Sequence, residues 1–313
     1  MTAEAAPPDP STGEDAALRC GFVALIGAPN AGKSTLLNEL IGAKVSIVTH
    51  KVQTTRTRIR GIAIEGESQI VFVDTPGIFE AKRRLERAMV AAAWNAVQEA
   101  DALVLLYDAA RKRIDADTER VIARLKDWGL EAVLVLNKID LIKREKLLEL
   151  AARFEAEGIF ARIFMISSLK GEGVADLRRY LAETLPEGPW HYPEDQLSDL
   201  PQRLIAAEVT REKLFLKLHQ ELPYALTVEN ERWQPFDDGS LRLEQTIYVQ
   251  RDSQKGIVLG KGGRTIKALR SEAQADLEEM LGCKVHLFLF VKVRENWIDD
   301  PARYREWGLD FQA

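Results

Sequence analysis

Short apolar runs alternate with stretches of helical periodicity between residues 21 and 185. This alternation is typical of α/β domains, in which a mostly parallel sheet is covered by helices on both faces. The ligand of such a domain is expected at the carboxyl ends of its strands. The strands are predicted at Phe22–Ile26, Ser68–Val73, Ala102–Tyr107, Ala132–Leu136 and Arg162–Ile166.

The pattern changes after residues 186–193, where three prolines and a glycine end the last helix of the first half. Beyond this break the periodicity predicts a long amphipathic helix, two strands, a glycine loop, a second long helix and a last strand. A short apolar turn, residues 257–259, precedes the glycine loop. The order is αββααβ, which indicates an α+β domain. Its main elements are predicted at residues 201–220, 225–234, 241–251, 264–281 and 284–293.

The chain of 313 residues is long enough for two domains that each bury a core. Its first residues are rich in Ala, Pro, Asp and Glu and lack the basic and apolar regions of a signal peptide, so we predict a disordered extension. The aromatic residues near the C-terminus are expected to pack as a docked tail. The predicted division is an extension at 1–18, an α/β domain at 19–186, a linker at 187–200, an α+β domain at 201–296 and a tail at 297–313.

Composition narrows the choice of partners. The formal net charge of −5 excludes a uniformly basic coat, so contact with RNA or DNA requires a local basic patch. Cys20 and Cys283 are far apart and have no partner cysteine nearby in sequence, which indicates neither a disulfide framework nor a zinc site and fits a reducing cytoplasm. No apolar run approaches the length of a membrane span, although weak peripheral attachment stays open.

The strongest chemical signal follows the first predicted strand. Residues 27–35 fit the phosphate-binding pattern G-x-x-x-x-G-K-[ST] without a mismatch. The glycines let backbone N–H groups turn toward phosphates, and the following helix N-terminus adds a positive dipole end. Lys33 supplies a mobile positive charge, and Ser34 offers a hydroxyl to Mg²⁺. The predicted phosphate-binding residues are Gly27, Ala28, Pro29, Asn30, Ala31, Gly32, Lys33, Ser34 and Thr35.

Polar motifs also follow the second, fourth and fifth predicted strands, which end at the same edge of the sheet. Asp74 can hold Mg²⁺ through water, and Gly77 lets the backbone approach a terminal phosphate. Alone, the sequence Asp-Thr-Pro-Gly is an ordinary turn, but the phosphate loop upstream favours the functional interpretation. The predicted nucleotide-binding residues are Asp74, Thr75, Pro76, Gly77 and Ile78, then Asn137, Lys138, Ile139 and Asp140, and finally Ser167 and Ser168.

The motif at residues 137–140 indicates which base is bound. A carboxylate at Asp140 can accept hydrogen bonds from the N1–H and the exocyclic amino group of guanine, and adenine offers neither group there. Lys138 can lie along the base, while Asn137 braces the loop. The alternative is that the motif only caps the helix that begins near Lys143. We therefore predict GTP and GDP as ligands.

These motifs, in this order and spacing, resemble those of translation-factor-related GTPases. The resemblance implies a threonine that closes over the γ-phosphate and Mg²⁺, and residues 53–56, QTTR, occupy the corresponding interval. Thr55 is favoured over Thr54 for this role. A loop that GTP orders and GDP releases would make the domain a switch. The metal ligands implied are Ser34, Thr55 and, through water, Asp74.

The residues that would catalyse GTP hydrolysis match those of Ras-like GTPases less completely. Ras-like GTPases place a water-orienting glutamine just after the Asp-x-x-Gly motif, whereas this chain has Ile78 and Phe79, so slow intrinsic hydrolysis is expected. Asn30 matches the asparagine with which some relatives hold K⁺, an ion that could supply the missing positive charge. The alternative is that Asn30 only shapes the loop. The catalytic residues implied are Lys33, Thr55 and Gly77.

The glycine loop of the second domain, residues 260–263, has the sequence Gly-Lys-Gly-Gly. Taken alone it is an ordinary helix-entry turn, but within this fold order it resembles a type II KH domain, whose Gly-x-x-Gly loop clamps about four unpaired nucleotides. The chain is basic and has no acidic residue from Ser253 to Arg270, as contact with phosphates requires. Val258 and Ile266 would share the floor beneath the bases. The predicted RNA-binding residues are Ile257, Gly260, Lys261, Gly262, Gly263, Arg264 and Lys267.

A GTPase domain followed by a KH domain resembles the Era family of bacterial GTPases from Cys20 to Gly308. Ser168 departs from the pattern, because relatives usually carry alanine there. The resemblance implies a monomer that binds the 3′ end of 16S rRNA and uses GTP to time its release during 30S ribosomal subunit assembly. It also implies a mainly cytoplasmic protein that is sometimes found at the inner face of the cell membrane. The strings that carry the resemblance are residues 27–35, 53–56, 74–77, 221–224 and 258–263.

The competing hypothesis is a GTPase signalling switch whose second domain binds a protein, with RNA incidental. The basic Gly-x-x-Gly loop argues against it. A metabolic nucleotide kinase is disfavoured, because residues 137–140 select guanine and no acceptor-substrate site is evident.

Overall fold

The computed structural model describes residues 17–49, 51, 55–56 and 58–313. Nearly all of the predicted N-terminal extension therefore lies outside the described residues, as do Gln53 and Thr54. The first domain is built on a six-stranded sheet of order β2-β3-β1-β4-β5-β6. Its strands are β1 Arg19–Ile26, β2 Ile59–Glu65, β3 Ser68–Asp74, β4 Ala102–Asp108, β5 Ala132–Asn137 and β6 Phe160–Met165.

Every pairing in this sheet is parallel except that of β2 with β3. The α/β class is confirmed, but the edge strand β2 was absent from the sequence prediction. Gly61 interrupts its apolar pattern, and only one face of the strand has a full row of buried side chains. A turn at Gly66, where φ is 56°, returns the chain directly into β3.

Helices cover both faces of this sheet and bury two cores. On one face, α1 and α5 pack over Leu25, Phe72 and Val104. On the other, α2, α3 and α4 pack over Ile26, Leu105 and neighbouring side chains. The helices are α1 Lys33–Ile41, α2 Arg84–Glu99, α3 Ala116–Asp127, α4 Arg144–Glu155 and α5 Val174–Thr184.

The second domain has three helices packed on one face of a three-stranded sheet of order β7-β8-β9, in which β7 and β8 are antiparallel and β8 and β9 are parallel. The apolar turn predicted at residues 257–259 is the last turn of a longer helix, α7, which begins at Asp252. The α+β class with the αββααβ order is confirmed. The elements are α6 Gln202–Lys217, β7 Leu226–Pro235, β8 Leu241–Val249, α7 Asp252–Leu259, α8 Arg264–Leu281 and β9 Val285–Val293.

The segment between the domains runs along the β2 and β3 edge of the first sheet. Ile62 N donates to Leu197 O at 2.9 Å, and the side-chain amide of Gln69 donates to Tyr192 O at 2.8 Å. The backbone N–H of Tyr192 in turn donates to Gln69 Oε1 at 3.0 Å. These bonds fix the segment on the first domain.

The C-terminal segment ends in helix α9, Pro301–Glu306, and is docked as expected. Trp297 Nε1 donates to Ala225 O of the second domain at 3.3 Å, while Tyr304 and Leu309 also pack against Leu85 and Met89 of α2, in the first domain. Burial of Trp297 and Tyr304 removes both rings from water. The aromatic tail therefore joins the two domains.

Candidate nucleotide-binding and RNA-binding sites

The phosphate loop between β1 and α1 holds two glycines in conformations that side chains rarely adopt. Gly27 has φ of 145° and Gly32 has φ of 103°. A Cβ at Gly27 would lie 2.4 Å from Leu106 O, and one at Gly32 would lie 2.2 Å from Asn137 Nδ2. The loop is therefore pressed against β4 and against the start of the base-recognition segment. Only glycine fits at either position.

Lys33 lies at the centre of this loop and is almost fully buried. Its Nζ donates to Gly27 O and Ala28 O, both at 3.1 Å. Burial lowers the pKa of Lys33 to about 8, although the nearby Asp74 carboxylate raises it in part. An incoming phosphate would replace the two carbonyl oxygens as the partner of the ammonium group and would favour its charged form.

Asp74, at the end of β3, gathers three hydroxyl groups on one carboxylate oxygen. Its Oδ2 accepts hydrogen bonds from Ser34 at 2.7 Å and from Thr55 at 3.2 Å. Ser46, which the sequence analysis missed, donates to the same oxygen at 3.0 Å. Desolvation raises the pKa of Asp74, because the carboxylate is fully buried.

This cluster fits a magnesium ion. Asp74 Oδ1 is buried and has no hydrogen-bond partner within the described part of the chain. The hydroxyls of Ser34 and Thr55 lie 3.0 Å apart beside it. Hydroxyl and carboxylate oxygens are the ligands Mg²⁺ prefers, with phosphate oxygens completing its shell. Among the described residues no group of three or more His, Cys, Asp or Glu side chains could hold a metal, so this oxygen cluster is the candidate.

The residues after Asp74 close the loop from below. Thr75 Oγ1 donates to Leu25 O at 2.8 Å, and Ile78 N donates to Gly27 O at 3.1 Å. A Cβ at Gly77 would lie 3.0 Å from the backbone of Pro29, so the two segments are in close contact. Ile78 itself is buried. Its side chain therefore points into the core and offers no polar group to a water molecule.

The base-recognition segment is held by Asn137. Its Nδ2 donates to Ala31 O at 2.9 Å, which ties the end of β5 to the phosphate loop. Its Oδ1 accepts hydrogen bonds from the N–H of Lys138 at 2.8 Å and from the N–H of Ser168 at 3.0 Å. The Ser168 hydroxyl donates to the same oxygen at 2.9 Å. The serine thus adds a bond that an alanine would lack.

Asp140 lies just after β5, and its Oδ2 is 3.9 Å from Lys170 Nζ. Its Oδ1 accepts a hydrogen bond from Ser167 Oγ at 2.8 Å, and its side chain is 10% exposed. The next helix, α4, begins at Arg144, and its first N–H groups receive no side-chain cap. The alternative that this motif caps the helix is therefore wrong. Ile139 is held by a bond from its N–H to Ile166 O at 3.2 Å.

Two further residues of the site were not found from the sequence. Asp108, at the end of β4, accepts a hydrogen bond from Lys138 Nζ at 2.6 Å, and that ammonium group also donates to Asn30 O at 2.8 Å. Arg111 donates to Pro29 O at 2.9 Å. Asp108 ends β4 and Arg111 lies in the β4–α3 connection. Neither belongs to a short motif, so only the fold brings them to the loop.

The segment that leads to Thr55 contacts the second domain. Val48 N donates to Glu212 Oε1 at 2.8 Å, and Lys44 Nζ donates to Glu212 Oε2 at 2.6 Å. Arg56, next to Thr55, donates to Leu226 O at 2.8 Å. The candidate γ-phosphate loop is thus bonded to helix α6 and to the start of β7. Sequence motifs gave no sign of these contacts.

The candidate RNA site lies at the joint between α7 and α8. Gly262 and Gly263 have φ of 64° and 74°, and nothing lies within 4 Å of a Cβ built on either. The loop therefore presents an open backbone. Lys261, Arg264 and Lys267 lie on or beside it, and Arg264 Nε donates to Lys261 O at 3.3 Å.

The apolar residues near the loop divide between surface and core. Ile257 is 57% exposed and can contact a base, whereas Val258 is fully buried in the domain core. Of these two residues, Val258 therefore serves the core, and Ile257 is the one that can form part of the floor of the RNA site. Gly260 has φ of 72°, and a Cβ there would lie 2.1 Å from Thr265 Oγ1. This glycine is needed for the close turn into α8.

Two family descriptions match the chain. Residues 22–138 match the 50S ribosome-binding GTPase family, and residues 221–298 match the KH domain family. Within the described residues, no helix has the length and apolar character that crossing a membrane demands.

Full-length relatives carry the same combination. The chain is 63% identical over 293 residues to GTPase Era of Rhizobium meliloti, covering 94% of this chain and 93% of the relative. It is 61% identical over 302 residues to GTPase Era of Agrobacterium fabrum, covering 96% and 95%.

Solved structures agree over both domains. A crystal structure of Era in complex with MgGDPNP and nucleotides 1506–1542 of 16S ribosomal RNA has a TM-score of 0.87 and 37% identity, covering 93% of this chain and 99% of that one. Aquifex aeolicus Era bound to GDP and AlF₄⁻ gives the same values. The chain therefore belongs to the Era family of GTPases.

Proposed function

We propose that this protein is a GTP-hydrolysing switch that binds 16S rRNA near its 3′ end through the KH domain and acts in 30S ribosomal subunit assembly. The observation that carries this proposal is the similarity, over both domains, to Era in complex with MgGDPNP and a 16S rRNA fragment. The protein acts in the cytoplasm as a monomer. A peripheral contact with the inner membrane belongs to the same proposal.

The nucleotide is held in two places. The backbone N–H groups of residues 27–35 and the Lys33 ammonium bind the phosphates, and Asp140 accepts the two N–H donors of guanine. Ser34, Thr55 and, through water, Asp74 would hold Mg²⁺, which when bound would neutralise charge on the phosphates. Thr55 is placed for this role by its hydrogen bonds to Ser34 and Asp74.

Hydrolysis in this site rests on positioning and on charge. Gly77 brings a backbone N–H to the γ-phosphate, Thr55 closes over it, and Lys33 balances its charge. The buried side chain of Ile78 leaves no polar group beside the attacking water. We assign K⁺ to the side chain of Asn30, which lies exposed in the phosphate loop at φ of 64°. A cation there would balance negative charge on the phosphates. The loop itself has no arginine to supply that positive charge.

The potassium assignment predicts a salt-specific rate. Replacing K⁺ by Na⁺ at constant ionic strength should sharply lower the single-turnover rate of GTP hydrolysis, and Asn30→Ala should give the low rate in both salts. Asn95→Ala, an exposed change on α2, is the matched control and should keep the preference. A wild-type rate that is equal in the two salts would contradict the assignment.

The RNA assignment is tested by crosslinking in cells and sequencing of the bound RNA. The wild-type protein should be enriched at the 3′ end of 16S rRNA. Gly262→Asp with Gly263→Asp should lower that enrichment about tenfold, because two carboxylates would then repel the phosphates.

The control for this experiment is Gly129→Asp with Gly158→Asp. These glycines also have positive φ, and nothing lies within 4 Å of a Cβ built on either. The control variant should retain RNA. Scattered RNA that the loop variant leaves unchanged would favour the alternative, a GTPase whose second domain binds a protein.

A further inference from the structure

A second basic surface lies on the GTPase domain, away from the KH loop. A cleft of about 510 Å³ opens between the β4–α3 connection and helix α4. We refer to it as the basic cleft. Six cationic side chains line it, and Glu149 is its one acidic lining residue. The six are Arg111, Lys112, Arg113, Lys143, Lys146 and Arg153.

Most of this charge is not neutralised by the protein. Arg111 forms an ion pair with Asp115. Within the described ranges, the other five cations form no ion pair at 4 Å or less, and all five are exposed. In a chain whose net charge is −5, such a concentration of free cations has a field that attracts polyanions.

The cations stand on both walls of the cleft. Lys112 and Arg113 lie on the β4–α3 connection, while Lys146 and Arg153 lie on one face of α4, two helical turns or about 10 Å apart. A polyanionic strand that enters between the walls can therefore meet positive charge from each side. Leu141, which is 66% exposed, gives the cleft an apolar contact as well.

We propose that the basic cleft binds the phosphate backbone of structured RNA, as a second RNA contact separate from the KH loop. This inference rests on the proposed function, in which the chain already binds rRNA through another domain. The cleft is concave, so a flat bilayer cannot contact both of its walls. An RNA strand can enter the cleft and contact both. A protein partner would need one row of acidic side chains for each wall of the cleft. RNA carries a negative charge on every phosphate of its backbone and needs no such arrangement.

The cleft also adjoins the nucleotide. Arg111 lines it and donates to Pro29 O of the phosphate loop at 2.9 Å. Leu141 directly follows Asp140 in the chain. RNA in the cleft would therefore touch Arg111, which is bonded to the phosphate loop, and Leu141, which adjoins the base-recognition segment.

The test is hydroxyl-radical footprinting of small ribosomal subunits with the full-length protein. The wild type should protect two separate rRNA segments, one of them the 3′ end. Lys143→Glu with Lys146→Glu should lose the second segment and keep the first, and Gly262→Asp with Gly263→Asp should do the reverse. Arg162→Glu with Arg179→Glu, exposed cations outside the cleft, should keep both.

Affinity gives a second measurement. The cleft variant should bind the subunit about tenfold more weakly, and the slope of log K against log salt should flatten by about 1.8 if two phosphate contacts are lost. Unchanged GDP affinity would show that the variant is folded.

Three outcomes would overturn the inference. The first is an identical footprint and salt slope in the cleft variant. The second is an intact rRNA footprint together with lost binding to phosphatidylglycerol vesicles, which would make the cleft a membrane contact. The third is no rRNA protection by the wild type, which would remove the proposed function too. If the wild type failed to protect only the 3′ end, the result would contradict the assignment of RNA binding to the KH loop but would not contradict the inference about the cleft.

Discussion

Asp140→Asn should lower the affinity for GDP and GTP by about 10³-fold and create affinity for xanthosine nucleotides. The carboxylate is 10% exposed, its Oδ1 accepts a hydrogen bond from Ser167 and its Oδ2 lies 3.9 Å from Lys170 Nζ, so a guanine would share the carboxylate with these two side chains. An asparagine would place an N–H₂ group against the amino group of guanine, and two donors would face each other. Xanthine has a carbonyl in that position and would accept the new hydrogen bond.

The experiment is competition of GDP and XDP against a fluorescent nucleotide. Asp176→Asn is the matched control, because it makes the same chemical change on α5, where the side chain is 72% exposed. The control should bind GDP as the wild type does. If Asp140→Asn kept its preference for GDP, the base would not be read by this carboxylate, and the orientation of the nucleotide assigned here would be wrong.

Most of the nucleotide site was predictable, because its residues follow strands directly. The carboxyl ends of β1, β3 and β5 meet at one edge of a parallel sheet, so local motifs become neighbours once the fold class is known. Lys33 and Asp74 were found in this way. Ser46 was not, because it belongs to no motif and reaches the site only through the path of its loop. Asp108 ends β4 at the same edge of the sheet but also belongs to no motif.

The errors in the fold have a similar origin. β2 was missed because a glycine breaks its apolar pattern. The strand is stabilised by its antiparallel pairing with β3, which the pattern of its own residues does not show. Only the last turn of α7, residues 257–259, was predicted, because Gly256 interrupts the helical pattern before it. The tail contacts the second domain, as expected, but its packing on α2 was not foreseen, because sequence alone does not show that this apolar face of α2 is left unfilled.

Arg56→Ala should lower the free energy of unfolding by about 3 kcal/mol, the second large effect we expect. The side chain is 3% exposed and donates to the carbonyl oxygens of Pro223, Tyr224 and Leu226. Burial lowers its pKa to about 9, so it stays cationic at neutral pH and carries a desolvation cost that these bonds offset. Truncation would leave the carbonyls unpaired and open a cavity.

The same change should loosen the two domains from each other. The guanidinium lies within about 6 Å of three ring centroids, those of Phe215 in α6 and of Trp297 and Trp307 in the C-terminal segment. Arg56 therefore connects the segment that carries Thr55 with two parts of the chain beyond residue 200. Without it, we expect calorimetry to resolve separate transitions for the two domains.

Arg58→Ala is the control for this prediction. Arg58 is also partly buried, but it bonds to Ala92 O and Glu99, both in α2 of its own domain. Its removal should cost about 1 kcal/mol and keep the unfolding profile of the wild type. Arg56→Lys should be intermediate, because it keeps the charge and loses the planar fork that reaches several carbonyls. Equal unfolding midpoints for Arg56→Ala and Arg58→Ala would show that Arg56 does not connect the domains. The 44–56 segment would then report nucleotide state to the KH domain through its bonds to Glu212 instead.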